Sequence, residues 1–301
     1  MNAIEAWKSF WFGPVSPYPL AVFRIGFGLT MLINLVGQYL PFYELFYTNE
    51  AIVRSDLIYA LKWRDQPIFD LMLFLPGDDL TVRIFLYFTI LMALFLTMGL
   101  FTRVSTLIFF FCLLSLNNHC PIILHAGDNY ARLVSLFLVF APSGQVLSLD
   151  SILAKEGDED REQNIVPVAM RLIQVQFCFI YLINWYYKMK GAIWTEGSAV
   201  YYATRLTQYY RLDYPFFLDN PVASKLLTWS TLSIELALVF LLWPKKTRYY
   251  FIVIGVLFHL GLDLTFNLGL FEWFFIVTFL LFVEGSVYEK ALKKMKTGFS
   301  A

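Results

Sequence analysis

Eight apolar stretches, each long enough to cross a lipid bilayer, constrain this chain more than any other feature. They cover residues 18–39, 83–100, 104–121, 129–146, 166–187, 223–243, 249–265 and 267–283. A hydrocarbon core of about 30 Å requires roughly 20 apolar residues per helix, and buried helices can be somewhat shorter. Composition agrees: 58% of residues are hydrophobic and 15% charged, whereas soluble chains run near 45–50% and 25%. Mean hydropathy is +0.60. The expected fold is an all-α polytopic integral membrane protein. It would have about eight transmembrane helices and short interfacial helices on the exofacial side. The expected domain is single, residues 1–301, ending in a basic cytoplasmic tail over 284–301.

The same numbers exclude other classes. Three cysteines are too few, and odd in number, for a disulfide scaffold. Equal counts of 23 basic and 23 acidic residues leave no field for a phosphate backbone, so no nucleic-acid partner is expected. The lipid bilayer is the expected partner. Residues 1–14 lack the charged-then-apolar-then-small pattern of a cleavable signal, so the first span is expected to stay in the mature protein.

Basic residues set the expected orientation. Lys245, Lys246 and Arg248 lie in the 244–248 loop, and Lys290, Lys293, Lys294 and Lys296 in the tail. Two spans separate these sites, so both can be cytoplasmic, together with the N-terminus. The protein would then reside in a bacterial cell membrane with both termini inside. Residues 40–82 mix Glu44, Arg54, Lys62, Arg64, Asp65 and Asp78 with aromatics and read as an exofacial cap. Residues 198–212 carry tyrosine pairs between Arg205 and Arg211, the pattern of a helix lying in the interface.

Ionisable groups at bilayer depth cost roughly 2.5–3.5 kcal/mol or more, so they need a partner, water or a function. The polar set clusters in sequence. Asn117, Asn118 and His119 end the third span, followed by His125, Asp128 and Arg132. Gln174, Tyr181, Asn184 and Lys188 share one face of the fifth span, and His259 and Asp263 lie one turn apart in the seventh. Asn267 and Glu272 follow. The expected topology places His119, Lys188, His259 and Asp263 at one exofacial depth, which predicts one polar cavity. Asn117, Asn118, His125, Asn184, Tyr181, His259 and Asp263 would line it. Separate packing or snorkelling of each residue is the alternative.

Other charges read as structural. Arg24 and Glu235 are expected to pair deep in the first and sixth spans, and Asp128 with Arg132 at a helix start. Ser148-Leu-Asp150 reads as a helix cap. Cys112, Cys120 and Cys178 read as apolar filler, with Cys120 a lesser redox candidate. No metal-ligand spacing, phosphate loop or nucleophile elbow is present, so no metal is expected.

The run Lys188-Met-Lys-Gly-Ala-Ile-Trp194-Thr-Glu-Gly197-Ser-Ala199 resembles the lysine motif of the horizontally transferred transmembrane (HTTM) family. That family includes the membrane part of vitamin K-dependent gamma-carboxylase. Asn117-Asn118-His119, Gly127-Asp128 with Arg132, Pro142 with Ser148-Leu-Asp150, Phe258-His259, and Arg24 within Phe23–Gly28 recur in the same order. The resemblance implies that Lys188 is a base and His119 a second catalytic residue. It also implies a reduced quinone such as vitamin K hydroquinone as cofactor, and an exofacial peptide or protein partner. Lys190 stands two residues further on, and the spacing from Lys188 to Trp194 is one residue longer than in the animal enzyme, so both lysines are candidates. The carboxylase's long exofacial C-terminal portion has no counterpart here. The resemblance therefore implies a carboxylase-like lyase or oxidoreductase site without propeptide binding. Short bacterial members also resemble the membrane component that matures a secreted sporulation-delaying peptide toxin. A non-catalytic accessory for maturation or export is thus the alternative.

Overall fold

The computed structural model describes residues 2–60, 68–154, 164–209, 211 and 219–298. Lys62, Arg64, Asp65, the acidic stretch 155–163, Tyr210 and Leu212 lie outside the described residues. The chain divides into two compact units, Met1–Arg171 with Glu284–Ala301, and Leu172–Val283.

The first unit opens with α1, Ala3–Phe12, whose start is closed by an Asn2/Glu5 capping box. Helix α2, Tyr18–Asn34, runs on through a π turn, Leu35–Tyr39, into the short helices Leu40–Phe42 and Tyr43–Phe46. Single four-residue turns at Ser55–Ile58 and Leu71–Phe74 precede α3, Asp79–Met98, which is capped by Asp78. Helices α4, Thr102–His119, and α5, Ala126–Phe140, pack on each other. A short α6, Leu149–Leu153, follows. Helix α7, Val168–Lys190, passes into the second unit. There the described residues form α8, Pro221–Leu241, α9, Lys245–Thr265, and α10, Phe271–Thr278, which tightens into Phe279–Phe282. Helix α11, Gly285–Gly298, returns to the first unit, where Ser16 donates to Glu289 at 3.1 Å. Apart from one isolated antiparallel bridge, Val15 to Ile165, the described regular structure is helical.

An all-α polytopic membrane protein is therefore what the sequence encodes, but the expected eight spans are too many. Among the described residues five helices are long and apolar enough to cross: Tyr18–Phe46, Asp79–Met98, Val168–Lys190, Pro221–Leu241 and Lys245–Thr265. A sixth arises if Phe271–Phe282 and Gly285–Met295 are one broken span. The expected 104–121 span is helical, but Arg103 at one end and Asn117-Asn118-His119 at the other cut its apolar run short. The expected 129–146 span shortens to the 15 residues of α5, about 22 Å at 1.5 Å per residue. The expected interfacial helix at 198–212 is only Ala199–Ala203 among the described residues.

Gly99, Phe101 and Asp150 fix the turn between α3 and α4. Gly99 ends α3 with φ 68°, and a Cβ there would collide with Ser148 and Arg24. Only glycine meets both demands. Phe101, the residue before α4, has φ 45° and no capping side chain of its own. Asp150 supplies the cap from a distance, accepting from the N–H groups of Phe101 at 2.7 Å and Thr102 at 2.8 Å, and from the Thr102 hydroxyl at 2.7 Å. Burial pushes the Asp150 carboxyl up. The hydrogen bonds from Thr102 and Phe101 and the Arg24 charge outweigh it and hold the carboxyl below its ordinary 3.8. A depressed carboxyl stabilises the fold above its unfolded value and loses that contribution as pH falls through the lower folded value. Asp150→Ala should cost about 1–2 kcal/mol at neutral pH. Unfolding midpoints measured from neutrality down to about pH 3 should show wild type losing its advantage over the variant. A gap that stays constant over that range would contradict the cap.

Candidate functional site

Two polar clusters stand out, one in each unit. In the first unit His119 closes α4 and is 8% exposed. Its Nδ1 lies 2.9 Å from Asp70 Oδ2. A carboxylate can only accept, so Nδ1 carries the proton and Nε2 is left as an acceptor in the neutral ring. Asp70 also accepts from the Met72 N–H at 2.8 Å and from the Tyr59 hydroxyl. Burial, then donation to Asp70, pushes the Tyr59 phenol far above its usual value, which keeps it a donor. Tyr47 stacks on His119 with centroids 6.1 Å apart, and Tyr39 stacks on Tyr47. Tyr39 in turn donates to Asp128 at 3.1 Å and to Asn117 at 3.4 Å.

Several expected cavity residues here have structural work instead. His125 is the N-cap of α5: its Nδ1 accepts from Gly127 and its N–H donates to Asp128 at 3.0 Å. Asn118 is half-exposed and donates to the Phe69 carbonyl at 2.8 Å. The expected Asp128–Arg132 pair does not form. Asp128 serves the cap and Tyr39, while Arg132 reaches Asn129 at 3.2 Å, because the cap geometry turns the carboxylate back toward the helix start.

In the second unit, α7 presents Gln174, Tyr181 and Lys188 on one face, at offsets of seven. Gln174 donates to the Leu281 carbonyl at 2.7 Å. Asn184 is exposed; at 100° per residue it sits roughly 60° off the Tyr181 direction, at the edge of the stripe. Lys188 forms an ion pair with Glu235, the lysine side chain 24% and the carboxylate 6% exposed. Its ammonium also lies 4.7 Å from the Trp194 ring centroid. Lys190 is exposed, with its ammonium 4.2 Å above the Tyr186 ring. Arg24 and Glu235, expected to pair, each find partners within their own unit. Glu235 belongs to Lys188, and Arg24 donates to the carbonyls of Ser143 and Leu147, each at 2.5 Å.

Beside this pair is a fully buried chain of three. Tyr181 Oη is 2.5 Å from His259 Nε2, and His259 Nδ1 is bonded to Glu272 Oε2. Their exposures are 2, 3 and 1% in that order. Phe275 and Phe279 rings border the imidazole at 5.1 and 6.1 Å. Asp263, one turn along, meets Arg211 at 3.4 Å. Two carboxylate oxygens, Glu235 Oε2 and Glu272 Oε1, are buried without a hydrogen-bond partner.

Sequence reasoning missed Asp70 and the placement of Glu272. Asp70 sits among many charged residues in 40–82 and carries no distinguishing pattern. Glu272 carries a legible signal, an acid inside an apolar run. Cys112, Cys120 and Cys178 are free and buried, as expected of apolar filler.

The HTTM domain family matches residues 12–286. The chain belongs to the HTTM family. The HTTM match takes in both clusters and the Arg24–Asp150 turn. No curated protein and no solved structure is similar enough to this HTTM chain to match it.

Proposed function

We propose that this HTTM protein is an integral membrane enzyme in which Lys188 acts as a base on an apolar, quinol-like ligand, by carboxylase-like chemistry. The observation that supports it most is the Lys188–Glu235 pair. In water a lysine is a poor base at neutral pH. In a low-dielectric setting its proton can pass along the hydrogen bond to Glu235, leaving a neutral amine and a neutral acid with no net charge. The amine can then take a proton from an acidic hydroxyl, and the resulting ammonium stabilises the oxyanion.

A quinol fits this set of groups. Trp194 beside the ammonium offers an aromatic face, and Glu235 Oε2 has acceptor capacity to spare. When bound, a reduced quinone such as vitamin K hydroquinone would supply an ionisable hydroxyl and reducing electrons. Lys188 and Glu235 would hold and move its proton. His119, oriented by Asp70, is the second catalytic candidate, and an exofacial peptide or protein is the second substrate class.

Orientation belongs to the same proposal. Helices α4 and α5 form a pair, so whether or not they cross, they return the chain to the same side. Counting the broken segment as the sixth span, both termini and the basic 244–248 segment at the start of α9 fall on one side. The positive-inside rule makes that side the cytoplasm, and in this reading the membrane is a bacterial cell membrane.

Purified protein in nanodiscs, given vitamin K hydroquinone and oxygen, should oxidise it. Lys188→Arg should lower the rate by about 10²-fold or more, since guanidinium does not deprotonate. Lys190→Ala should change it little. Full activity in Lys188→Arg would overturn the base reading and favour the accessory role. Absence of wild-type turnover would overturn the quinol assignment.

A further inference from the structure

The second unit's polar core is one proton short of neutrality. With ordinary protonation Lys188 carries one positive charge, Glu235 and Glu272 one negative charge each, and His259 none. The sum is one uncompensated negative charge among groups that are nearly all buried. Glu235 also feels the charges of His259 and Glu272, so the four groups act as one electrostatic cluster. Among the described residues no neighbour cancels the excess. From α7 the facing groups are Tyr181, which is neutral, and Lys188, already counted; from α8 it is Glu235. Further along α9 is Asp263, which takes Arg211 from the connecting segment, and α10 gives Glu272. An unpaired charge buried at bilayer depth is strongly unfavourable.

We propose that the Tyr181–His259–Glu272 chain stores one proton, with His259 held as an imidazolium against the Glu272 carboxylate. The added proton makes both pairs neutral. It also suits the observed bonds. Both ring nitrogens become donors, Nδ1 to Glu272 Oε2 and Nε2 to Tyr181 Oη, and neither contact is lost. The two orphaned oxygens, Glu235 Oε2 and Glu272 Oε1, are acceptors that a bridging water would satisfy while carrying a proton between the pairs.

The cluster is thereby an acid next to a base. Two titratable pairs in different surroundings divide these tasks, as they do in other active sites. His259 gives up its stored proton through Glu272 and the water to Glu235. Glu235 becomes a neutral acid, and His259 becomes a neutral imidazole that keeps its Nε2 proton, donating to Tyr181 Oη while Nδ1 is left as an acceptor. The proton count is conserved at each transfer. Use of the stored proton in turnover rests on Lys188 being a base; its presence does not.

The chain has only three histidines, His119, His125 and His259, so solid-state ¹⁵N NMR of histidine-labelled protein in bilayers can read each ring. At roughly pH 7.5, above the ordinary imidazole value, His259 should show two protonated nitrogens. Assignment comes from the loss of the other signals in His119→Gln and His125→Gln. Glu272→Gln should convert His259 to a neutral ring. Should that variant not fold, Tyr181→Phe removes only an acceptor and should keep the imidazolium. A singly protonated His259 in wild type would overturn the proposal, as would loss of the imidazolium in Tyr181→Phe. The readings separate cleanly. An imidazolium with full Lys188→Arg activity removes the base but keeps the store, and a neutral ring with inactive Lys188→Arg does the reverse.

Discussion

Glu235→Leu and Lys188→Met should each destabilise the protein by about 3–5 kcal/mol, while the two combined should regain most of the loss. Truncating either partner leaves the other charge in a low-dielectric site. The carboxylate is 6% exposed, so an orphaned Glu235 suffers most, while Lys188 at 24% can draw some water. Replacing both by apolar groups of similar volume removes the desolvation penalty altogether. Thermal retention of monodisperse protein in nanodiscs would measure all four members of the cycle. Additive losses, with the double variant the worst, would show that the pair contributes nothing through its mutual interaction. The stable double variant should still lack quinol oxidation. That combination separates a structural from a chemical role for Lys188, which no single substitution can do.

Composition made the membrane class legible, because no soluble chain buries 58% hydrophobic residues without a larger charged surface. Span counting was less secure. Hydropathy recognises the apolar middle of α4 but not that His119 and its neighbours are used in packing against Asp70 and Tyr39. The site was partly legible. The offset of seven between Tyr181 and Lys188 follows from helix geometry, and both do face polar partners. The partners themselves were harder to read. Arg24 is satisfied by two backbone carbonyls, and every residue carries one, so sequence offers no clue to which are chosen. Lys188, read in sequence as a cavity residue, is the partner Glu235 uses instead.

Arg24→Met should be the most damaging substitution in the first unit, at about 3–5 kcal/mol. The side chain is 0% exposed, and its fork holds the Ser143 and Leu147 carbonyls, the latter on a residue with φ 50°. Loss of the guanidinium would leave two carbonyls without their donor, at about 1–3 kcal/mol each where water cannot replace it. It would also remove the positive charge that Asp150 feels while capping α4. Methionine fills much of the volume, so the loss would report hydrogen bonding and charge more than a cavity. Arg24→Lys should be intermediate, since an ammonium is a point donor and cannot span both carbonyls as the planar fork does. Combination with Glu235→Gln gives the sharper test. Arg24 and Glu235 have separate partners, so their effects on thermal stability should add within about 0.5 kcal/mol. A larger coupling would mean that the two charges act on each other after all, and the carbonyl clamp would lose its place as the reason for a buried arginine.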